Sequence, residues 1–148
     1  MMKTRTFLSM GVIAVAMGLG ACGSMAASDT QAFSAKLSGA TEVPANMTTG
    51  SGMVEASLNK QSNVLTWTVT YSGLTGPVKA GHFHGPAAAG TNAGVAVGLS
   101  GSMDSPIQGT ATLTPAQAAD LMAGKWYVNL HTAANPGGEV RGQVMPAQ

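Results

Sequence analysis

From Leu65 to Tyr71, apolar and hydroxyl side chains alternate without a break. Leu65, Trp67, Val69 and Tyr71 fall on one parity; Thr66, Thr68 and Thr70 fall on the other. A period of two is what an extended strand with one buried face imposes. β-Branched and aromatic side chains favour that pleated backbone as well. Trp67 is therefore expected at the centre of a core, with an indole N–H that needs an acceptor if it is fully buried.

Shorter stretches elsewhere read the same way. Strands are predicted at Phe33–Leu37, Gly52–Leu58, Val78–His84, Gly94–Leu99, Ile107–Leu113, Lys125–Thr132 and Glu139–Val144. Gly73-Leu74-Thr75-Gly76-Pro77 and Asn135-Pro136-Gly137-Gly138 are turns. One helix is expected, over about residues 115–123. Thr114 can cap it, Pro115 suits its first position, and Gln117 completes a capping box. Gly124 suits the left-handed residue that ends it. About eight strands, closely spaced turns and one short helix predict an all-β fold, a Greek-key β-sandwich or barrel. Only 9% of residues are charged and 20 are glycine, which fits tight turns better than helices.

The first 21 residues read as a targeting segment. Lys3 and Arg5 precede an apolar run from Phe7 to Leu19, too short to cross a membrane. Leu19-Gly20-Ala21-Cys22 resembles the lipobox of bacterial lipoproteins, in which the cysteine is acylated and becomes the new N-terminus. That resemblance implies a membrane anchor at Cys22, a polar tether over 22–32 and a single domain over 33–148. It places the domain in the cell envelope, facing the periplasm from the outer membrane, since Gly23 supplies no acidic retention signal. Cleavage after Ala26 or Ala27 would give a secreted protein instead. Cys22 is the single cysteine, so no disulfide can form within the chain. After residue 21 there remain five basic and six acidic side chains. No basic patch marks a nucleic-acid partner. Neither a Gly-x-Ser-x-Gly elbow nor a glycine loop with a phosphate-binding lysine is present.

The chain has three histidines. In Gly81-His82-Phe83-His84-Gly85, strand alternation turns His82 and His84 one way and Phe83 the other, with the two imidazoles about 6.6 Å apart along the strand. In Trp126-Tyr127-Val128-Asn129-Leu130-His131-Thr132, Tyr127, Asn129 and His131 share the face opposite Trp126, Val128 and Leu130. If the apolar faces form the core, all three histidines lie outside, and strands about 4.8 Å apart could bring them together. Three imidazoles are a known metal-binding set. Copper is preferred because it heads the affinity series at nitrogen sites and no thiolate competes; zinc is the alternative. Isolated histidines are more often hydrogen-bonded surface residues. A cluster within about 5 Å separates the two readings.

Glu139 and Arg141 are two apart on one predicted strand and would share the histidines' face. Glu139 could then accept a histidine N–H and Arg141 attract anions near a metal; otherwise they form a surface pair. Asn129 could hydrogen-bond a loop or a histidine. The Ala- and Gly-rich stretch from Pro86 to Asn92 is expected as a loop over the histidines.

Glu42-Val43-Pro44, Gly81-His82-Phe83-His84-Gly85, Tyr127-Val128-Asn129-Leu130-His131-Thr132 and Gly138-Glu139-Val140-Arg141-Gly142-Gln143 follow in this order. Together they resemble the chordin-type (CHRD) domain, over about residues 33–145. The set is also distantly similar to copper/zinc superoxide dismutase, where a His-x-His pair and a later strand histidine lie outside a Greek-key barrel. That similarity would match His82, His84 and His131 to copper ligands. It offers no counterpart to the bridging histidine or the zinc site, because there is no fourth histidine. The leading expectation is a lipoprotein binding one transition metal. The second is a non-catalytic protein-binding or adhesion module with structural histidines, its partner unnamed by the sequence. A superoxide-consuming enzyme comes last.

Overall fold

The computed structural model describes residues 29–147. The targeting segment and Cys22 lie outside the described residues. Eight strands run in chain order: β1 (Thr30–Ser38), β2 (Ser51–Asn59), β3 (Val64–Ser72), β4 (Val78–His84), β5 (Val95–Gly98), β6 (Ile107–Thr112), β7 (Trp126–Thr132) and β8 (Val140–Pro146). Helix α1 (Pro115–Met122) separates β6 from β7, and Gly39–Thr41 form one 3-10 turn after β1. All neighbours pair antiparallel, in the order β5-β4-β7-β8-β1-β2-β3-β6. The connections from β3 to β4, from β5 to β6 and from β6 to β7 leave neighbour order, so the sheet is not a simple meander. The first strand begins at Thr30, three residues before its predicted start.

The sheet curls until its two halves face each other. Trp67 of β3 meets Phe83 of β4 edge-on with ring centroids 5.4 Å apart, and Phe83 lies 6.0 Å from Trp126 of β7. β4 and β7 are paired neighbours, but β3 and β4 are far apart in the pairing order, and their contact shows the sheet curled into a nearly closed barrel. The parity argument holds: Leu65, Trp67 and Val69 are buried, while Thr66 and Thr70 are exposed. Trp67 fits because residue 109 is glycine; a Cβ there would come 2.4 Å from the indole. Its indole nitrogen meets no acceptor. Helix α1 follows β6 and packs against β8. Thr114 and Gln117 form the expected capping box. Leu121 enters the core, and the Gln117 amide donates to the Ala96 carbonyl of β5 at 3.4 Å. Gly124 adopts φ +69°, the left-handed turn that ends the helix.

On β7 both faces are covered. Trp126, Val128 and Leu130 face inward, and Tyr127 and Asn129 are also buried, at 3% and 4% exposure. Loops lying over the outside of the barrel cause this, and they meet at the histidines.

Candidate metal centre

Register across β4, β7 and β8 assembles the site. His82 pairs directly with Asn129, and Asn129 with Arg141. His84 pairs with Tyr127, and Ala80 with His131. Directly opposed side chains on one face of an antiparallel pair lie close, and diagonal ones remain within reach of large side chains. The three histidines therefore converge: one ring nitrogen from each lies within 4.8 Å of the others. Sequence parity predicts an exposed cluster; instead each imidazole is half-buried. The residue 85–94 loop covers the outer face here. Its Ala93 carbonyl accepts from His84 Nδ1 at 2.9 Å, and Tyr127 stacks on His84 at 4.7 Å, nearly parallel.

The hydrogen bonds fix the protons. A neutral imidazole carries one N–H, and a backbone carbonyl can only accept. Ala93 O faces His84 Nδ1, and Pro136 O faces His131 Nδ1, both at 2.9 Å. In both neutral rings the proton therefore sits on Nδ1, and Nε2 keeps its lone pair. Both Nε2 atoms lie 3.0 Å from the same oxygen, Asn129 Oδ1. His82 Nδ1 is 3.1 Å from His131 Nε2 and can donate to it. Burial holds the His82 pKa below its ordinary value, helped by the neighbouring His131 and His84. Burial also lowers that of His131, against the Pro136 carbonyl, which raises it. Two imidazole lone pairs and one carboxamide oxygen thus face a common point, beside a third imidazole. Nitrogen and oxygen donors of this kind could hold a small cation.

Arg141 and Glu139 go separate ways. Arg141 is 2% exposed; its guanidinium carbon lies 3.4 Å from the Tyr127 ring centroid. Its Nη1 donates to Asn92 Oδ1 at 2.8 Å and its Nη2 to the Thr91 carbonyl at 2.6 Å, pinning the loop over the site. Glu139 is fully buried and touches no histidine. Its Oε1 accepts from the Thr48 hydroxyl at 2.7 Å and from Thr75 N–H at 2.8 Å. Its Oε2 accepts from the hydroxyls of Thr75 and Thr132, at 2.6 and 2.5 Å. The reason is local. The ladder of β8 begins at Val140, and Gly138 at φ +130° turns the chain just before it. Strand parity therefore does not reach Glu139, and it shares no face with Arg141. Burial pushes its pKa up, but the bonds from Thr132, Thr75 and Thr48 outweigh that and bring it to about 2.

Glu42 has a place at the site that parity could not predict, because it lies in a loop. It is 6% exposed, and its carboxyl adjoins Asn129. Its Oε1 makes no hydrogen bond. Burial raises its pKa, while the Val43 backbone, Arg141 and the Asn129 side chain pull it down. The signal in the sequence is the Glu-Val-Pro motif, which named the residue without giving its role.

Fold and site together define an antiparallel β-barrel domain with a histidine cluster on its outer wall under two loops. The CHRD domain family model matches residues 33–144, and the chain belongs to that family. No curated protein and no solved structure matches it.

Proposed function

We propose that this CHRD domain binds one transition-metal ion, copper in preference to zinc, through His82, His84 and His131. We propose further that it does so as a lipoprotein held in the cell envelope by Cys22, buffering or delivering the metal. One observation carries the metal reading: His84 and His131 each give their Nδ1 proton to a backbone carbonyl and leave Nε2 unprotonated toward the other imidazoles. Metal-binding histidines are oriented in this way, with the remote N–H on a carbonyl and the near nitrogen free. The lowered pKa values of His82 and His131 keep protons from competing at neutral pH. Copper is preferred because no thiolate is among the clustered donors and nitrogen sites favour it.

Calorimetric copper titration and melting scans of the wild type and of His82→Ala, His84→Ala and His131→Ala test this. One Cu²⁺ per chain and a raised Tm are expected for the wild type, since the unfolded chain has no assembled site. Each variant should lose most of that gain. Equal copper binding by all three variants would refute the site; equal competition by zinc would refute the copper preference alone.

A second reading has its own support. The same two carbonyl contacts tie the 85–94 loop to β4 and the 133–139 turn to β7. On a protein-binding module the histidines would serve only as these ties. Their loss would then lower the Tm of the metal-free protein and leave no copper-dependent difference.

A further inference from the structure

Asn129 contributes an oxygen among the histidine nitrogens, 3.0 Å from His84 Nε2 and from His131 Nε2. With both Nδ1 protons committed to carbonyls, no proton lies between this oxygen and either nitrogen of a neutral ring. The Asn129 oxygen thus faces two nitrogen lone pairs, of which a His82 N–H can satisfy only that of His131, an unfavourable arrangement that a cation among them would reverse.

The amide is held in that orientation from behind. Glu42 and Asn129 pack together against Gly138. A Cβ at residue 138 would come 2.3 Å from Glu42 Oε1 and 2.9 Å from Asn129 Nδ2, so neither side chain has room to withdraw that way. The amide nitrogen stands on the carboxyl side and the amide oxygen on the imidazole side. Inverting the amide would set its oxygen against the carboxylate.

We propose that Asn129 Oδ1 is a fourth ligand at the histidine site, aimed by Glu42, and that the resulting three-nitrogen, one-oxygen set selects a divalent ion over Cu⁺. This rests on the histidine reading. Cu⁺ favours soft sulfur donors, whereas a mixed nitrogen and oxygen set suits a divalent ion such as Cu²⁺. Asn129 is thus a ligand and Glu42 a positioning residue.

The test uses the full chain, titrated with Cu²⁺ by calorimetry and followed by electron paramagnetic resonance. Wild type is compared with Asn129→Ala, Glu42→Gln and the exchanged pair Glu42→Gln/Asn129→Asp. Asn129→Ala should weaken Cu²⁺ binding about tenfold or more and change the copper spectrum, while Cu⁺ affinity stays unchanged. Glu42→Gln should weaken Cu²⁺ binding less, because the amide can then invert. The exchanged pair keeps one carboxyl and one carboxamide and returns an oxygen to the ion, so tight binding should recover. Wild-type affinity and spectrum in Asn129→Ala would overturn the fourth ligand while leaving the three histidines standing. Equal losses for Cu²⁺ and Cu⁺ would overturn the selection. No recovery in the exchanged pair would overturn the role of Glu42. A wild-type chain that binds no copper would overturn the histidine reading itself, a result distinct from all of these.

Discussion

Replacing Glu139 with glutamine should destabilise the barrel strongly at neutral pH and hardly at all in acid. The carboxylate ties four segments together: the loop before β2 through Thr48, the turn before β4 through Thr75, the end of β7 through Thr132, and its own approach to β8. Its pKa is about 2 in the folded protein, against 4.5 for the free side chain. The folded value is the lower one, so the carboxylate contributes stability above pH 4.5, and that contribution is lost as pH falls toward 2. The difference corresponds to about 3 kcal/mol. Glutamine keeps the shape but must turn an N–H toward Thr75 N–H or the threonine hydroxyls. At pH 7 a cost of about 2–4 kcal/mol is expected, in line with the loss of buried charge-assisted hydrogen bonds. Urea unfolding followed by fluorescence of Trp67 and Trp126 measures it, at pH 7 and at steps down to pH 2.5. The gap between wild type and variant should close across that range. A gap that stays constant with pH, or one below about 1 kcal/mol at pH 7, would refute the reasoning.

Further outcomes are expected elsewhere in the chain. Cys22→Ser should move the protein from the membrane to the soluble fraction of the envelope; unchanged membrane attachment would remove the proposed anchor. Trp67→Ala should cost about 3–5 kcal/mol, read from the same urea curves, because the indole is 4% exposed and packs edge-on against Phe83; a cost under about 1 kcal/mol would contradict its central place. Copper affinity should hold down through the ordinary imidazole range and fall only at lower pH, because His82 and His131 have pKa values below 6.5. Titration by calorimetry at a series of pH values checks this, and a loss of binding centred above 6.5 would contradict it.

What was legible in the sequence follows from what periodicity can carry. The alternation from Leu65 to Tyr71 placed Trp67 inside, and Thr114, Pro115, Gln117 and Gly124 marked both ends of the helix. The parity of His82, His84 and His131 put them on one face, because all three lie in the regular part of the β4–β7 ladder, between the Ala80–His131 and His84–Tyr127 pairs. Parity says nothing about which strands adjoin, so the contact of β4 with β7 needed the structure. It also fails one residue outside a ladder, as at Glu139, and gives no reading in a loop, as at Glu42. Burial of Tyr127 and Arg141 was hidden for another reason: the residues bonded to them, Thr91, Asn92 and Ala93, come from a loop whose path no local pattern records.

The register has a consequence for which way the domain looks. His82, Asn129, Arg141 and Ser38 form one row across β4, β7, β8 and β1. Ser38 ends β1, and the chain enters that strand at Thr30, eight residue steps away, or about 26 Å of extended backbone. The C-terminal end of β8 returns to the entry end, where Pro146 pairs with Phe33 and Ala147 N–H donates to the Ala32 carbonyl. Along β1, the row and the entry thus stand at opposite ends of the strand. With the proposed anchor at Cys22, a lipid would hold the domain from the Thr30 end of β1, eight residue steps from the Ser38 end where the row begins.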